Sequence, residues 1–126
     1  MVYLITGKAG AGKTYYASQL VKELTDEGKL VKHIDGDEWR LDHSNDDYSD
    51  QGRAWNLKSA AEYARAFEQR GHIVVMSFIA PKREWRNNMR KIWKQSKVIY
   101  IPGGKLWKGT TYEKPDEDEL NGFKAI

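Results

Sequence analysis

The sequence predicts an α/β protein, a mostly parallel sheet of about four to five strands flanked by helices, and three observations carry that expectation. Short apolar, β-branched runs alternate with helix-length stretches along the chain. That alternation implies right-handed crossovers and a parallel sheet covered by helices. A glycine-rich loop separates the first such strand from the first such helix. Finally, the 126 residues show no internal repeat and no Ser/Gly/Pro linker, so residues 1–126 are expected to form one domain.

The elements follow in order. Residues 2–6 (Val-Tyr-Leu-Ile-Thr) are short, apolar and partly β-branched, the pattern of a strand buried on both faces. Glycines at 7, 10 and 12 end it. Ala17, Leu20, Val21 and Leu24 recur at helical spacing from Lys13 to about Glu27, and Gly28 stops the helix. Residues 30–34 read as the second strand. Residues 35–50 read as a loop, with seven acids against the single Arg40. A second helix is expected over 53–70, with Trp55, Ala60, Tyr63, Ala64 and Phe67 as its apolar stripe and Gly71 closing it. Residues 73–76 give a third strand. Pro81 suits the first turn of a third, basic helix over 82–97, whose charges read as a solvated face. Residues 98–101 give a fourth strand. The remainder reads as a loop and an acidic tail, Asp116-Glu117-Asp118-Glu119, serving as a solubilising end.

Composition excludes several functions. The chain has no cysteine, which removes disulfides, thiolate metal sites and cysteine nucleophiles and agrees with a reducing, cytoplasmic setting. No apolar run approaches the roughly 20 residues of a membrane span, and the start of the chain lacks the pattern of a secretory signal. A membrane partner is therefore not expected. The net charge is only +3, and no nucleic-acid reading motif is present, so nucleic acid is not an expected partner either. His33, His43 and His72 lack metal-ligand spacing and read as ordinary surface or strand-end residues.

Two motifs carry chemistry. Gly7-Lys8-Ala9-Gly10-Ala11-Gly12-Lys13-Thr14 fits G-x-x-x-x-G-K-[ST]. Glycines let such a loop wrap around phosphates with its N–H groups inward, and the following helix aims its positive end at the same anions. Lys13 is then expected to reach the β- and γ-phosphates of ATP, and Thr14 to place its hydroxyl on Mg²⁺. Set after a strand and before a helix, the loop refines the fold class to a three-layer P-loop NTPase-like architecture. The second motif, Asp35-Gly36-Asp37-Glu38-Trp39-Arg40, ends the second strand with two carboxylates one residue apart. In phosphoryl transfer one such carboxylate accepts the proton of an attacking hydroxyl or holds Mg²⁺ through water. Arg40 can pair with an anionic substrate through two parallel hydrogen bonds. Both motifs lie at the carboxyl ends of strands, where open parallel sheets bind ligands.

Together these segments resemble the adenylylsulfate kinases, P-loop enzymes that phosphorylate the 3′-hydroxyl of adenosine 5′-phosphosulfate (APS) in sulfate assimilation. Asp35 through Arg40 looks like the family's D-G-D-x-x-R, and Tyr48 through Asn56 like F-S-x-x-D-R-x-x-N. Gly71 through Pro81 looks like G-x-I-V-V-x-S-x-I-S-P, and Tyr112-Glu113-Lys114-Pro115 like Y-E-x-P. Arg86 and Arg90 fall where the family has arginines. The motifs keep the family's order over nearly the whole chain.

The resemblance implies a kinase using Mg·ATP on residues 7–14 and forming 3′-phosphoadenosine 5′-phosphosulfate. It implies Asp37 as catalytic base, with Asp35 as its near-equal rival and Lys13 as the catalytic cation. Arg40, Arg53 and Asn56 match residues that hold phosphosulfate and ribose, and Ile79 and Ala80 the pair whose backbone borders the substrate. Tyr48 matches an aromatic that stacks on the substrate adenine. Trp107 is either the second face of that stack or a packed loop anchor. Three departures stand out: Ala80 replaces a serine, Gly52 replaces an acid beside Arg53, and the lid segment R-D-x-K-G-L-Y is reduced to residues 102–111. Lys105 or Lys108 is the substitute on offer for the basic groups of that lid. The shortened lid keeps two alternatives open: a kinase of another hydroxyl, such as a nucleoside, a modified DNA base or a small alcohol, and a non-catalytic nucleotide-binding module. A homodimer is compatible with the sequence.

Overall fold

The structure is a computed structural model that describes residues 1–43, 47–107 and 110–121. Its elements are β1 (Val2–Thr6), α1 (Lys13–Asp26), β2 (Val31–Asp35), α2 (Gly36–Asp42), α3 (Asp50–Gln69), β3 (Ile73–Ser77), α4 (Arg83–Ile92), β4 (Ser96–Tyr100) and α5 (Glu117–Asn121). The four strands form one parallel sheet in the order β2-β3-β1-β4.

Alternation along β1 decides which layer each side chain joins. Val2 and Leu4 pack with Ala60, Ala61 and Ala64 of α3, Met89 of α4 and Trp93. Ile5 packs with Ala17 and Leu24 of α1 and Val75 of β3. Helices therefore cover both faces, which is why these strands read as continuous apolar runs. The alanines of α3 let that helix lie close on the sheet. Trp93, fully buried, closes the layer and donates from Nε1 to the Ala61 carbonyl at 2.9 Å, so its one polar atom is satisfied.

Register brings the functional edge together. Asp35 pairs with Ser77, Ser77 with Ile5, and Thr6 with Tyr100. All four strands thus end at one rim, and the motifs are displayed there.

Several sequence expectations are corrected. Residues 36–42 form α2 rather than loop, because the Asp35 side chain accepts from the Glu38 N–H as an N-cap and the first turn carries Asp37 and Glu38. Asp46 of the predicted loop lies outside the described residues. α3 starts at Asp50, three residues early, because Ser49 caps it by accepting from the Gly52 N–H at 3.2 Å. Trp55 is not in the apolar stripe; it is 54% exposed, while Arg53 and Asn56 on the same helix are buried. The basic helix ends at Ile92, and Arg86 on it is fully buried rather than solvated. The acidic tail forms α5, and Glu119 is buried against Arg86, with Oε2 2.8 Å from Arg86 Nε. A short amphipathic segment with one inward carboxylate looks, in sequence, like a charge run.

Candidate active site

One cavity of about 450 Å³ opens along the rim of the sheet. Its walls come from the loop after β1 (Ala9, Gly10, Gly12), from the start of α1 (Lys13, Thr14), from α2 (Asp37, Arg40), from α3 (Arg53, Asn56), from the segment after β3 (Ile79, Ala80), and from Trp107. Two ligand-scale features, the phosphate loop and the Asp/Arg/Asn wall, thus face one space.

The loop is held from both ends. The Lys13 ammonium donates to the Lys8 carbonyl at 2.8 Å, and the Ala11 N–H donates to the same oxygen at 3.3 Å. Burial lowers the Lys13 pKa, and the Asp37 and Asp35 carboxylates act against that shift. Beyond β4 the chain returns over the loop. Ala9 and Lys105 exchange two backbone hydrogen bonds, 3.1 and 2.8 Å, as an antiparallel bridge. Lys105 therefore touches the loop through its main chain, while its side chain is exposed; Lys108 lies outside the described residues.

Asp35 and Asp37 have different surroundings. Asp35 Oδ1 accepts from Thr14 Oγ1 at 2.9 Å and from Ser77 Oγ at 2.7 Å. Because Ser77 donates to the carboxylate, its oxygen accepts from His33 Nε2 at 3.0 Å. His33 is thus more than a strand-end residue: burial pushes its pKa down, against the opposing pull of Asp35 and Glu38. Asp37 is exposed to the cavity. Thr14 and Asp35 offer adjacent hard oxygen donors, the type Mg²⁺ takes alongside water and phosphate oxygens. Among the described residues no group of three or more His, Cys, Asp or Glu gathers as a self-sufficient metal cage. That donor set suits a cation arriving with a polyphosphate.

The opposite wall is cationic and aromatic. The Arg40 guanidinium lies 4.8 Å from the Tyr48 ring centre and 5.9 Å from that of Trp107, and Arg53 lies 5.7 Å from Trp107. Arg53 Nε also donates to the Tyr48 carbonyl at 2.7 Å. Burial lowers the Arg40 pKa, with Tyr48 opposing. Tyr48 and Trp107 meet edge to face at 4.9 Å and 86°, so no gap for a base separates their rings. A side chain at Gly52 would collide with Asp47, so Asp47 takes the space that a larger residue there would need.

Every residue named above as a wall of the cavity is expected from the sequence, whereas Gly7, Lys8, Ala11 and Tyr48, also expected at the site, do not line the cavity. Ser77, Phe78, Leu57 and Tyr15 also line the cavity and were not singled out. Ser77 carried a usable signal: it is the last residue of β3, at the carboxyl edge.

A protein-family model described as adenylylsulphate kinase matches residues 1–102. The chain is 37% identical over 102 residues to the adenylyl-sulfate kinase of Clostridium acetobutylicum, covering 79% of this chain and 51% of that protein. It is 37% identical over 89 residues to the probable adenylyl-sulfate kinase of Bacillus subtilis, covering 70% and 45%. The solved structure of the Mycobacterium tuberculosis APS kinase CysC in complex with AMPPNP and APS superposes with a TM-score of 0.75 at 26% identity, over 80% of this chain and 61% of that one. The chain spans about half the length of the curated relatives it matches.

Proposed function

Because the chain belongs to the adenylylsulphate kinase family, we propose that it is an ATP-dependent kinase. In this reading it transfers the γ-phosphoryl group of Mg·ATP to the 3′-hydroxyl of APS, as a single P-loop domain over residues 1–126 and in the cytoplasm. The observation that carries the proposal is the shared cavity: the phosphate loop and the Asp37, Arg40, Arg53 and Asn56 wall face the same space.

The roles follow from the surroundings of each group. The backbone of residues 7–14 and the Lys13 ammonium cradle the polyphosphate. Thr14 and Asp35 would hold Mg²⁺, and the cation would supply charge neutralisation to the polyphosphate. Asp35 accepts hydrogen bonds from Thr14, Ser77 and the Glu38 N–H, which commit its oxygens to holding the strand end, the start of α1 and the start of α2 together. Asp37, open to the cavity, is the better base. It accepts the proton of the acceptor hydroxyl as the new O–P bond forms and the bond to the departing ADP breaks. Arg40, Arg53 and Asn56 hold the anionic and ribose parts of the acceptor. Trp107, which lines the cavity, meets its base, with Tyr48 packed edge to face against it. Catalysis in such a site comes from positioning and charge neutralisation.

The reduced segment between β4 and Tyr112 supports a second reading, the same chemistry on another hydroxyl. The deciding measurement is ADP release from Mg·ATP with and without APS, with the nucleotide product identified by mass. APS-dependent release with a product one phosphoryl heavier than APS is expected. ATP binding without APS-dependent release would move the acceptor to the second reading.

A further inference from the structure

Ala80 is the one non-glycine residue among those described with a left-handed backbone, at φ 43°. Such a conformation is costly for a residue with a Cβ and persists where the surroundings hold it. It sits in the cavity wall, between β3 and α4.

The restraints are specific, and the segment after β4 supplies much of them. Thr6 Oγ1 donates to the Ile79 carbonyl at 2.5 Å. That hydroxyl in turn accepts from the Tyr112 hydroxyl at 2.8 Å, and burial raises the Tyr112 pKa, so the phenol stays protonated as a donor. Arg86 Nη1 donates to the Ala80 carbonyl at 2.7 Å. Its Nη2 donates to the Glu113 carbonyl at 2.7 Å, and its Nε to Glu119 at 2.8 Å. The Glu113 N–H closes the ring by donating to the Pro81 carbonyl at 2.7 Å. Consecutive carbonyls 79, 80 and 81 are therefore each fixed by a donor.

We infer that Arg86, Glu119, Thr6 and Tyr112 are positioning residues that lock the strained Ile79–Ala80 backbone as a rigid wall for the phosphoryl acceptor, with α5 as the latch. The inference rests on the reading of that wall as the acceptor side of the cavity. A locked wall presents its backbone to the acceptor without paying for order on binding. Released, Ala80 relaxes to an ordinary right-handed or extended conformation and its carbonyl swings out of place. The loop across the sheet, residues 7–14, keeps its own bonds, so the nucleotide side is unaffected.

The test compares wild type, Glu119→Gln, Tyr112→Phe, and Glu119→Gln combined with Ala80→Gly. Deuterium uptake at the amides of residues 78–80 reads the clamp directly, and the KM values for ATP and APS read its consequence. Glu119→Gln is expected to speed uptake at 78–80 and to raise the APS KM about tenfold, the scale of a left-handed penalty, with the ATP KM unchanged. Tyr112→Phe, which leaves the buried ion pair intact, acts in the same direction and reads the clamp even where Glu119→Gln loses the fold. Ala80→Gly partly restores the APS KM, because glycine has no left-handed penalty; a merely structural defect would not be rescued this way. Unchanged uptake at 78–80 in both single variants overturns the inference, as does an equal rise in both KM values or an absence of rescue. A wild type that does not phosphorylate APS, with uptake still raised in the variants, sinks the acceptor assignment and supports the clamp.

Discussion

Asp35 and Asp37 are two residues apart in sequence and have opposite surroundings. Asp35 is buried at the strand end and accepts from Thr14, Ser77 and its own helix N–H. Asp37, in the first turn of α2, faces the cavity. Peptide geometry makes this separation: a residue that caps a helix turns its side chain back onto the first turn, while the next residues project outward. Asp37→Asn is therefore expected to lower kcat by about 10²–10⁴-fold, the range of general-base contributions, with the ATP KM near wild type. Steady-state kinetics decide it, and undiminished turnover would remove Asp37 from the base role.

At the scale of elements, the segment after β4 does two jobs. Its first part pairs with the phosphate loop through the Ala9–Lys105 bridge, and Trp107 then enters the opposite wall. Short as it is, it joins the glycine-rich loop to the cationic wall. Gly104 makes the close approach possible: it lies at φ 76°, and a Cβ there would come within 2.6 Å of the Ala9 carbonyl oxygen. Gly104→Ala should push the strap off the loop. The expected result is a loss of about 1–3 kcal/mol in stability together with weaker ATP binding, read by thermal melting and by calorimetric titration with ATP. A variant that binds ATP as wild type does would show that the loop needs no strap.

Across the whole molecule, Glu68 joins parts that are distant in sequence. Burial works to raise its pKa, but the Lys94 and Gln95 N–H groups and the Met1 ammonium outweigh this and hold it below the usual glutamate range. A carboxylate depressed in the folded state adds stability above its unfolded pKa and loses it as pH falls through the folded value. Acid should therefore weaken the contact between the end of α3 and the turn from α4 into β4. Glu68→Gln is expected to cost about 2 kcal/mol near neutral pH, the scale of hydrogen bonds to a charged group. Its stability should also fall less steeply than that of wild type below pH about 4, near the unfolded glutamate value. Urea unfolding across pH measures both, and parallel acid limbs for the two proteins would contradict the assignment.

The local part of this design was legible in the sequence. Strand and helix order, the phosphate loop and the Asp-Gly-Asp turn rest on spacing and on residues that act through their own backbone, so β1, α1 and the loop between them need no distant partner to be read. α2 and α5 were not legible, because their charges resemble a solvated loop or tail until a cap or a buried partner is seen. Arg86 read as one cation on a basic face; only packing brings Glu119, 33 residues away, onto it. The same holds for Trp55, which fits the helical period yet faces water, and for Ala80, whose strained backbone no pattern announces. Sequence periodicity records which side chains are apolar and how they repeat. Which charges are buried together, and which backbone is held under strain, depends on contacts between elements far apart along the chain, and those exist only once the sheet has closed its layers.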